Sequence, residues 1–439
     1  MRICLLSPVG FVGGAERCLL TLVKALRDDN MARDDDAPRD DDALRDGKAQ
    51  RDDNTPRDGQ TAPDIHVICC GDGPLVGQMR QLGATVHVLP MPAHMAGFGE
   101  SGLKSAGRVA RLTGTLHGAL RAMPATIAYA RSLRRLVRLI SPDVVHSNGM
   151  KTHLLSRLAG DLGCPVVWHV HDFVGTRPLM ARGLRLASGR CAGAVAISPA
   201  VARDAAGVLP GVEITTVMNA TDTELFSPGE ADGAALDALA GLPVAPPGTL
   251  RVGLVATYAR WKGQDVFLDA AAGAAKHCPA VRFYVIGGPV YATSGSQFTV
   301  SELRSRASTV ALEGRVGFVP FQHNPVDVYR SLDVVVHAST QPEPFGLTII
   351  EAMSCGKPVV VSAAGGAAEL FEEGADGLGF APGNADELSK VIRRLLDDQT
   401  LRHTVGARAR KSAVERYSRA RYGREMLSVY QSVLSRQKD

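Results

Sequence analysis

The feature that most constrains the fold is an alternation of short apolar runs with amphipathic segments, which stops and then starts again. In the first half of the chain the β-rich runs are "RICLLSP", "DIHVICCG", "ATVHVLPM", "PDVVHSNG", "PVVWHVHD" and "GAVAISP". Helical patterns separate most of them. Such alternation predicts a parallel sheet that is covered by helices on both faces.

The alternation breaks at residues 220–250, where "SPGEADG" and "GLPVAPPGT" predict a linker. It resumes with "LRVGLVATY", "RFYVIGG", "VGFVPF", "DVVVHAS", "PVVVSAAGG" and "GLGFAP". Helices are predicted between these runs, one of them at 367–373, and "RYSRARYGREMLSVYQSVLSR" predicts a long closing helix. We therefore predict an α/β protein with two Rossmann-like, doubly wound domains. Ligands of such domains bind at the carboxyl ends of the strands, so the two domains would face each other across a binding cleft.

Composition fits an ordinary globular protein of two domains. The chain has 439 residues, of which 45% are hydrophobic, enough for two cores. Its eight cysteines include no CxxC pair, which indicates buried free thiols in a reducing compartment. The opening "MRICLLSPVG" is too short for a signal peptide, and no uninterrupted apolar run reaches the length of a membrane span. We expect a cytoplasmic protein.

Residues 27–62 differ from the rest of the chain. Arginine recurs every six residues from Arg27 to Arg57, and the segment holds twelve Asp, six Arg and one Lys. It has almost no apolar residues, so we predict a disordered hexapeptide-repeat insert. The Asp runs at 34–36 and 40–42 could also form a metal site. A repeat expansion in a surface loop explains these runs better. Without the insert, the formal net charge rises from +4 to +9.

Three short stretches are weak candidates for a site when each is taken alone. The turn Gly10–Gly14 follows the first strand and opens a helix, a geometry that suits an anion. Lys262 and Arg260 follow a strand in the second half, where they would neutralise a phosphate or form a solvated cation pair. His169 and His171 end a strand, where a structural role is favoured over a metal pair because no acid or cysteine cluster completes a site.

The stretch "EPFGLTIIE" strengthens these candidates. Pro344 and Gly346 predict that Glu343 lies on a loop and that Glu351 lies at least one turn inside a helix. The amides of Phe345, Gly346 and Leu347 would then form a helix N-terminus, which attracts a phosphate. A phosphate site between two carboxylates that can each bind sugar hydroxyls describes a nucleotide-sugar.

The chain resembles family 4 glycosyltransferases, the group 1 retaining enzymes of GT-B fold. The E-x7-E pair Glu343 and Glu351 lies in a stretch that is similar to the family's core signature, "EPFGLTIIEAMSCGKPVVVSAAGGAAELFEEGADGLGFAPGNADELSKVIRRLLDD". "GGAER", "PDVVHSNG", "HVHD", "NATD" and the closing helix also resemble family segments. The resemblance covers nearly the whole chain except the insert.

The resemblance implies domain bounds and residue roles. An acceptor-side domain would span 1–220, a linker 221–248, a nucleotide-sugar domain 249–415, and a helix crossing back to the first domain 416–439. By this resemblance, Glu351 would bind the ribose and Glu343 would bind the donor sugar. The Phe345–Leu347 amides and Lys262 would bind the diphosphate, and His171 would lie near the reacting sugar carbon. Gly13 and Gly14 would let acceptor and phosphate approach closely. The family often has Gly-Arg where this chain has Ala256-Thr257, and Arg260 would replace that arginine.

The expected activity is transfer of a sugar from a nucleotide-diphosphate-sugar donor to an acceptor hydroxyl, with retention of configuration and without a metal or other cofactor. Thr257 leaves a weakly catalytic or non-catalytic sugar-nucleotide-binding relative as the alternative. The missing GxGxxG fingerprint argues against a dinucleotide-dependent oxidoreductase. No aromatic-basic platform accompanies the positive charge, so a nucleic-acid partner is not expected.

The segment from Glu100 to Asp143 is basic and has acids only at its two ends. Leu133, Leu136, Val137 and Ile140 recur in it at helical spacing. Its bases are Lys104, Arg108, Arg111, Arg121, Arg131, Arg134, Arg135 and Arg138. Such a segment either covers the first sheet with solvated arginines or attaches the protein reversibly to an anionic bilayer, where a sugar or lipid-linked acceptor would be presented.

Overall fold

The computed structural model describes residues 1–28, 62–96, 108–289 and 295–436, with only the backbone described for His94, Ala96 and 108–122. The predicted insert, with its alternative metal site, lies almost entirely outside the described residues. So does Lys104.

Within the described residues, seven parallel strands form the first sheet, in the order β3-β2-β1-β4-β5-β6-β7. The strands are β1 (Arg2–Ser7), β2 (Asp64–Cys69), β3 (Thr85–Val88), β4 (Val144–Asn148), β5 (Val166–Val170), β6 (Gly193–Ala196) and β7 (Ile214–Thr216). The strand order reverses direction at β1 and β4, so the loops that follow these two strands border a crevice at the carboxyl edge of the sheet.

Helices cover both faces of this sheet. They are α1 (Gly14–Arg27), α2 (Pro74–Gln81), α3 (Ala93–Ala96), α4 (Arg108–Ile140), α5 (Met150–Leu158), α6 (Pro178–Ala187) and α7 (Pro199–Val208). Leu133, Leu155 and Leu184 place α4, α5 and α6 in one core cluster, whereas Leu19 and Leu22 of α1 belong to another. No described helix, α4 included, is both long and apolar enough to cross a membrane.

The second sheet has six parallel described strands in the order β10-β9-β8-β11-β12-β13. Its strands are β8 (Leu250–Val255), β9 (Val281–Ile286), β10 (Val316–Val319), β11 (Val334–His337), β12 (Val359–Ser362) and β13 (Leu378–Phe380). The remaining helices are α8 (Gly233–Leu239), α9 (Gln264–Ala275), α10 (Val300–Thr309), α11 (Val326–Ser331), α12 (Leu347–Ser354), α13 (Ala385–Asp397), α14 (Gln399–Tyr417) and α15 (Arg419–Ser435). The strand order reverses between β8 and β11. The predicted fold class is confirmed.

The chain passes between the domains twice, along adjacent paths. Thr221, after the first domain, pairs with Ser418, which lies between α14 and α15. α15 then packs against α1, with Tyr422 and Met426 fully buried in the core cluster of that helix. The last helix is therefore part of the first domain's hydrophobic core.

One helix was not predicted, and two predicted helices differ from the structure. The segment predicted as a linker contains α8, which Asp232 caps by accepting from Ala235 N–H at 2.8 Å. The helix predicted at 367–373 is a single 3₁₀ turn, Gly366–Glu369. The closing helix, predicted as continuous from "RYSRA", is broken at Ser418, whose backbone is extended (φ −70°, ψ 151°).

Candidate active site in the cleft between the sheets

Glu343 lies in the loop between β11 and α12, as the sequence predicts, and its backbone is held against Gly365 and Gly366. Gly366 N–H donates to Glu343 O at 2.7 Å. Gly365 has φ +67°, and a Cβ on Gly366 would lie 2.0 Å from the carbonyl oxygen of Pro344. These two glycines let the loop lie flat against the next strand end, which fixes the position of the carboxylate.

The carboxylate of Glu343 is surrounded by hydrogen-bond donors. Lys262 Nζ lies 2.6 Å from Oε2, and Ser339 Oγ donates to the same oxygen at 2.8 Å. His337 Nε2 lies 3.3 Å from it and 3.0 Å from Ser339 Oγ. The residue is buried. A buried carboxylate with a cation and two further partners is held in one orientation.

The charge state of Glu343 follows from these contacts. Burial alone would raise the pKa of its carboxyl, but the ammonium of Lys262 and the hydrogen bond with His337 outweigh burial, so the pKa lies well below its usual range. Glu343 is therefore an anion at neutral pH. It can accept hydrogen bonds from sugar hydroxyls but cannot act as an acid.

Lys262 and Arg260 share one 3₁₀ turn after β8, but their side chains make different contacts. Gly263 follows with φ +71°, and a Cβ there would lie 2.0 Å from Ala338 O, so this turn is pressed against the end of β11. Arg260 pairs instead with Glu302 of α10 at 2.5 Å and lies 4.4 Å from the Phe298 ring centre. Its guanidinium is thus already engaged away from the Lys262–Glu343 pair.

Glu351 lies in α12, also as the sequence predicts, and is almost fully buried. Tyr329 Oη donates to Oε2 at 2.8 Å, and Arg17 Nη2 donates to Oε1 at 2.7 Å. Arg17 belongs to α1 of the first domain, so this ion pair crosses the cleft. Sequence reasoning missed Arg17, although its place in "GGAER", directly after the glycine turn, was a usable signal.

The N-terminus of α12 lies between the two carboxylates. Gly346 precedes the helix with φ +114°, a left-handed conformation that favours glycine. Phe345 is buried and its ring meets that of Tyr417 edge-on, with the centres 6.2 Å apart. The segment from Phe345 to Leu347 thus enters the helix on a rigid support at the carboxyl end of β11.

The glycine turn between β1 and α1 offers one open position. A Cβ on Gly14 would meet no heavy atom within 4 Å, whereas one on Gly10 would lie 2.4 Å from the backbone of Asp72. Gly13 is the N-cap of α1, and its N–H donates to Glu16 Oε2 at 3.1 Å. The Gly13 amide therefore already has a partner, whereas the position beside Gly14 is open.

His171 follows the end of β5 with its Nε2 atom 2.7 Å from Asn148 Oδ1. Burial lowers the pKa of His171 to about 3, so the imidazole is neutral. The next residue, Asp172, has a pKa raised first by burial and also, in smaller part, by the charge of Glu343. No three His, Cys, Asp or Glu side chains of the described residues are grouped as metal ligands.

Direct contacts join the two domains beside the cleft. Ser198 Oγ, at the start of α7, donates to Pro344 O at 2.8 Å. Glu369 accepts from Ala200 N–H at 2.9 Å and pairs with Arg203 at 2.7 Å. Together with the pair formed by Arg17 and Glu351, these contacts hold the domains against each other around the candidate site.

Two family models match the chain on either side of the cleft. Residues 244–412 match "Glycosyl transferases group 1", and residues 75–225 match "Glycosyltransferase Family 4". The first match contains Glu343, Glu351 and Lys262, and the second contains His171.

Curated relatives match over part of their length. A D-inositol 3-phosphate glycosyltransferase from Mycolicibacterium smegmatis is 35% identical over 188 residues, which are 41% of this chain and 40% of the relative. One of the same name from Nocardiopsis dassonvillei is 28% identical over 223 residues, half of each chain. An uncharacterized glycosyltransferase from Methanocaldococcus jannaschii is 38% identical over 103 residues, 24% of this chain and 26% of the relative. The chain thus matches half or less of these relatives.

Solved structures resemble the chain over nearly all of its length. Anabaena HepE in complex with UDP and glucose has a TM-score of 0.73 and 24% identity, and the match covers 98% of this chain and 100% of that one. Sucrose-phosphate synthase from Thermosynechococcus elongatus has a TM-score of 0.67 and 19% identity over 99% of each chain. At such identities the likeness concerns the fold. Taken with the family matches, it shows that the chain belongs to the group 1 (family 4) glycosyltransferases and has their GT-B fold.

Proposed function

We propose that the protein transfers a sugar from a nucleotide-diphosphate-sugar to an acceptor hydroxyl, with retention of configuration. One observation carries the proposal. Glu343 is held as an anion by Lys262 at the entrance to α12, and Glu351 is buried one turn inside that helix. A cation and a helix N-terminus between two fixed carboxylates suit a diphosphate that has a sugar at each end.

The donor would span the site along the start of α12. Lys262 and the amides of Phe345–Leu347 would bind the diphosphate, and Glu343 would accept hydrogen bonds from the transferred sugar. Glu351 would bind the ribose hydroxyls once Arg17 gives up its place on that carboxylate. Solved structures of the similar Anabaena HepE are complexes with UDP and with UDP-glucose, so a UDP-sugar is the first donor to test.

The chemistry that these residues supply is charge stabilisation. Departure of the nucleoside diphosphate concentrates negative charge on its oxygens, and a preorganised ammonium with helix-end amides stabilises that charge. We propose that this cation and these amides make a metal unnecessary. His171 is neutral, so it would contribute hydrogen bonding near the reacting carbon rather than a charge.

We further propose that the acceptor is a sugar or a lipid-linked sugar and that the first domain binds an anionic membrane surface. Exposed residues of α4 follow one another at four-residue intervals: Met123, Ile127, Arg131, Arg135 and Leu139. Helix α6, which packs against α5, exposes Leu179, Arg182 and Leu186. Neither 123–142 nor 178–190 contains an acid. Arginines mixed with exposed leucines suit anionic headgroups, as needed for glycolipid or polysaccharide synthesis in the cytoplasm.

The proposal is tested by donor binding followed by product analysis. Thermal shift with UDP, GDP, ADP, their glucose conjugates and NAD should give stabilisation by one nucleoside diphosphate class and none by NAD. NMR of the product, or of the sugar released by slow hydrolysis, should show the anomer of the donor. Binding without transfer or hydrolysis would support a non-catalytic relative instead, and an inverted anomer would contradict retention.

A further inference from the structure

Asn148, the last residue of β4, is fully buried. Its side chain contacts His171, which follows β5, and Ala15, which lies in α1. Its Oδ1 atom lies 2.7 Å from His171 Nε2, and its Nδ2 atom lies 3.4 Å from the carbonyl oxygen of Ala15. A carbonyl oxygen only accepts, so the amide nitrogen must face Ala15. The amide oxygen must then face His171.

This orientation of the amide determines where the proton of His171 lies. An amide oxygen accepts and never donates, so the Nε2 atom of His171 must carry the hydrogen. In a neutral imidazole the other nitrogen, Nδ1, is then an acceptor with a free lone pair.

The surroundings of His171 keep the ring neutral and restrict its rotation. The ring centre of His169 lies 4.0 Å from that of His171, and His146 meets His169 edge-on at 5.0 Å. His146 is itself fixed by Tyr430 Oη, 2.8 Å from its Nδ1 atom. His146 and His169 are buried, and a row of three imidazoles disfavours a positive charge on any one of them.

We propose that Asn148 is a positioning residue that holds His171 as the Nε2–H tautomer, so that Nδ1 accepts a hydrogen bond from a hydroxyl of the donor sugar. The proposal rests on the proposed function for the identity of the ligand. Because Asn148 also contacts Ala15 O beside Gly14, it couples the orientation of His171 to the first turn of α1.

The test measures the tautomer directly and needs no catalysis. ¹⁵N–¹H correlation spectra of histidine-labelled protein, with His171 assigned by His171→Gln, should show a protonated Nε2 and a bare Nδ1 in the wild type. Asn148→Ala should give a mixture of tautomers. Asn148→Asp keeps an acceptor toward Nε2 and should retain the Nε2 proton. Ser147→Ala is the matched control, because Ser147 Oγ bonds Thr152 and His153 but not His171.

Kinetics supply the second readout. Asn148→Ala should lower kcat by about 10- to 100-fold, the scale of misplacing a reacting group by ~1 Å, with little change in the KM of the donor. Ser147→Ala should keep both kcat and the tautomer. A wild-type Nδ1–H tautomer, or an Asn148→Ala protein that keeps both the wild-type spectrum and kcat, would overturn the proposal. A preparation without transferase activity in which Asn148→Ala still changes the tautomer would uphold the positioning role and contradict only the proposed function.

Discussion

At the scale of residues, Glu343 and Glu351 are both buried carboxylates, but their partners differ. Glu343 contacts Lys262, Ser339 and His337, all from its own domain. Glu351 contacts Tyr329 from its own domain and Arg17 from the other. A ligand that enters the cleft must therefore compete with Arg17 for Glu351, whereas it can add to the contacts of Glu343.

The two acids should differ in what their loss impairs. Glu343→Gln should slow transfer strongly and leave nucleoside diphosphate affinity nearly intact, because only the contact with the sugar is lost. Glu351→Ala should weaken nucleotide binding by roughly 1.5–3 kcal/mol, the range for a hydrogen bond to a charged group. Calorimetric titration and initial rates measure both quantities.

Arg17→Ala is the control for Glu351→Ala. It removes the same ion pair but frees the carboxylate, so nucleotide affinity should stay the same or rise. If Glu343→Gln and Glu351→Ala changed rate and affinity alike, the division of roles would be wrong.

Mutations of Lys262 and Arg260, the two bases of the 260–262 turn, should also distinguish the roles of these residues. Lys262→Ala should lower the transfer rate by about two orders of magnitude or more, the usual effect of removing one preorganised charge stabiliser. If Arg260 replaces the family's phosphate arginine, Arg260→Ala should lower the rate as well, and Thr257→Arg should partly restore it.

The contact with Glu302 supplies the control for Arg260. Glu302→Gln removes the same ion pair and keeps the guanidinium, whose Nε still donates to Gly295 O. If Arg260 acts only by anchoring α10, the two variants should behave alike. Full activity in Arg260→Ala would exclude a role at the diphosphate.

At the scale of elements, the strands and most helices could be predicted because each follows from a local pattern. A buried parallel strand is a short apolar run between turn residues, as in "PVVVSAAGG" at β12. Helix α8 was not predicted because its capping residue Asp232 lies among Pro and Gly, and the helix has only seven residues. The helix predicted at 367–373 failed because Gly365, with φ +67°, turns the chain so that Glu369 contacts α7.

The residues of the candidate site also divide into those that the sequence predicts and those that only the folded structure reveals. Glu343, Lys262 and Glu351 lie within the second domain, at strand ends or in the helix that follows one, so a motif could identify them. The pair of Arg17 with Glu351 joins residues 334 positions apart in sequence and from different domains, so only the folded molecule brings them together. The role of Asn148 likewise depends on its neighbours in space.

The buried histidines at β4, β5 and α5 predict acid sensitivity of the first domain. Burial lowers the pKa of His146 and His171 to about 3, and lowers the pKa values of His153 and His169 well below the usual range. The unfolded chain takes up protons on these groups as the pH falls below about 6.5. Their contribution is thus fully present above that pH and is lost as the pH falls toward the folded values, by about 1.4 kcal/mol per pH unit for each histidine.

Urea unfolding between pH 7 and 5 measures this effect. Trp168 lies in the first domain, stacked on His153, and Trp261→Phe removes the other tryptophan. The midpoint reported by Trp168 should fall steadily below pH 6.5. The fall should persist at high salt, because burial is not screened as surface charges are. A midpoint that stays constant from pH 6.5 to 5 would contradict the neutral state of these rings.

At the scale of the whole molecule, the exposed apolar and basic residues of α4 and α6 lie on the domain that would receive the acceptor. Leu139 and Leu186 are 83% and 82% exposed, and exposed arginines lie on the same two helices. We expect sedimentation with vesicles that contain anionic lipid, and binding that weakens as salt rises. Neutral vesicles should bind much less, because each base near an anionic surface contributes about 1 kcal/mol.

Two triple variants distinguish vesicle binding through a specific face from attraction by total charge. Converting Arg134, Arg135 and Arg138 to Gln should lower vesicle binding by on the order of 100-fold, from three such contributions. Converting Arg408, Lys411 and Arg424 to Gln removes the same charge from exposed positions of α14 and α15 and should change binding little. Equal losses in both variants would indicate non-specific attraction by net charge. If the wild type fails to bind anionic vesicles at low salt, the arginines of α4 are merely solvated on a helix that covers the sheet. The acceptor must then reach the cleft from solution.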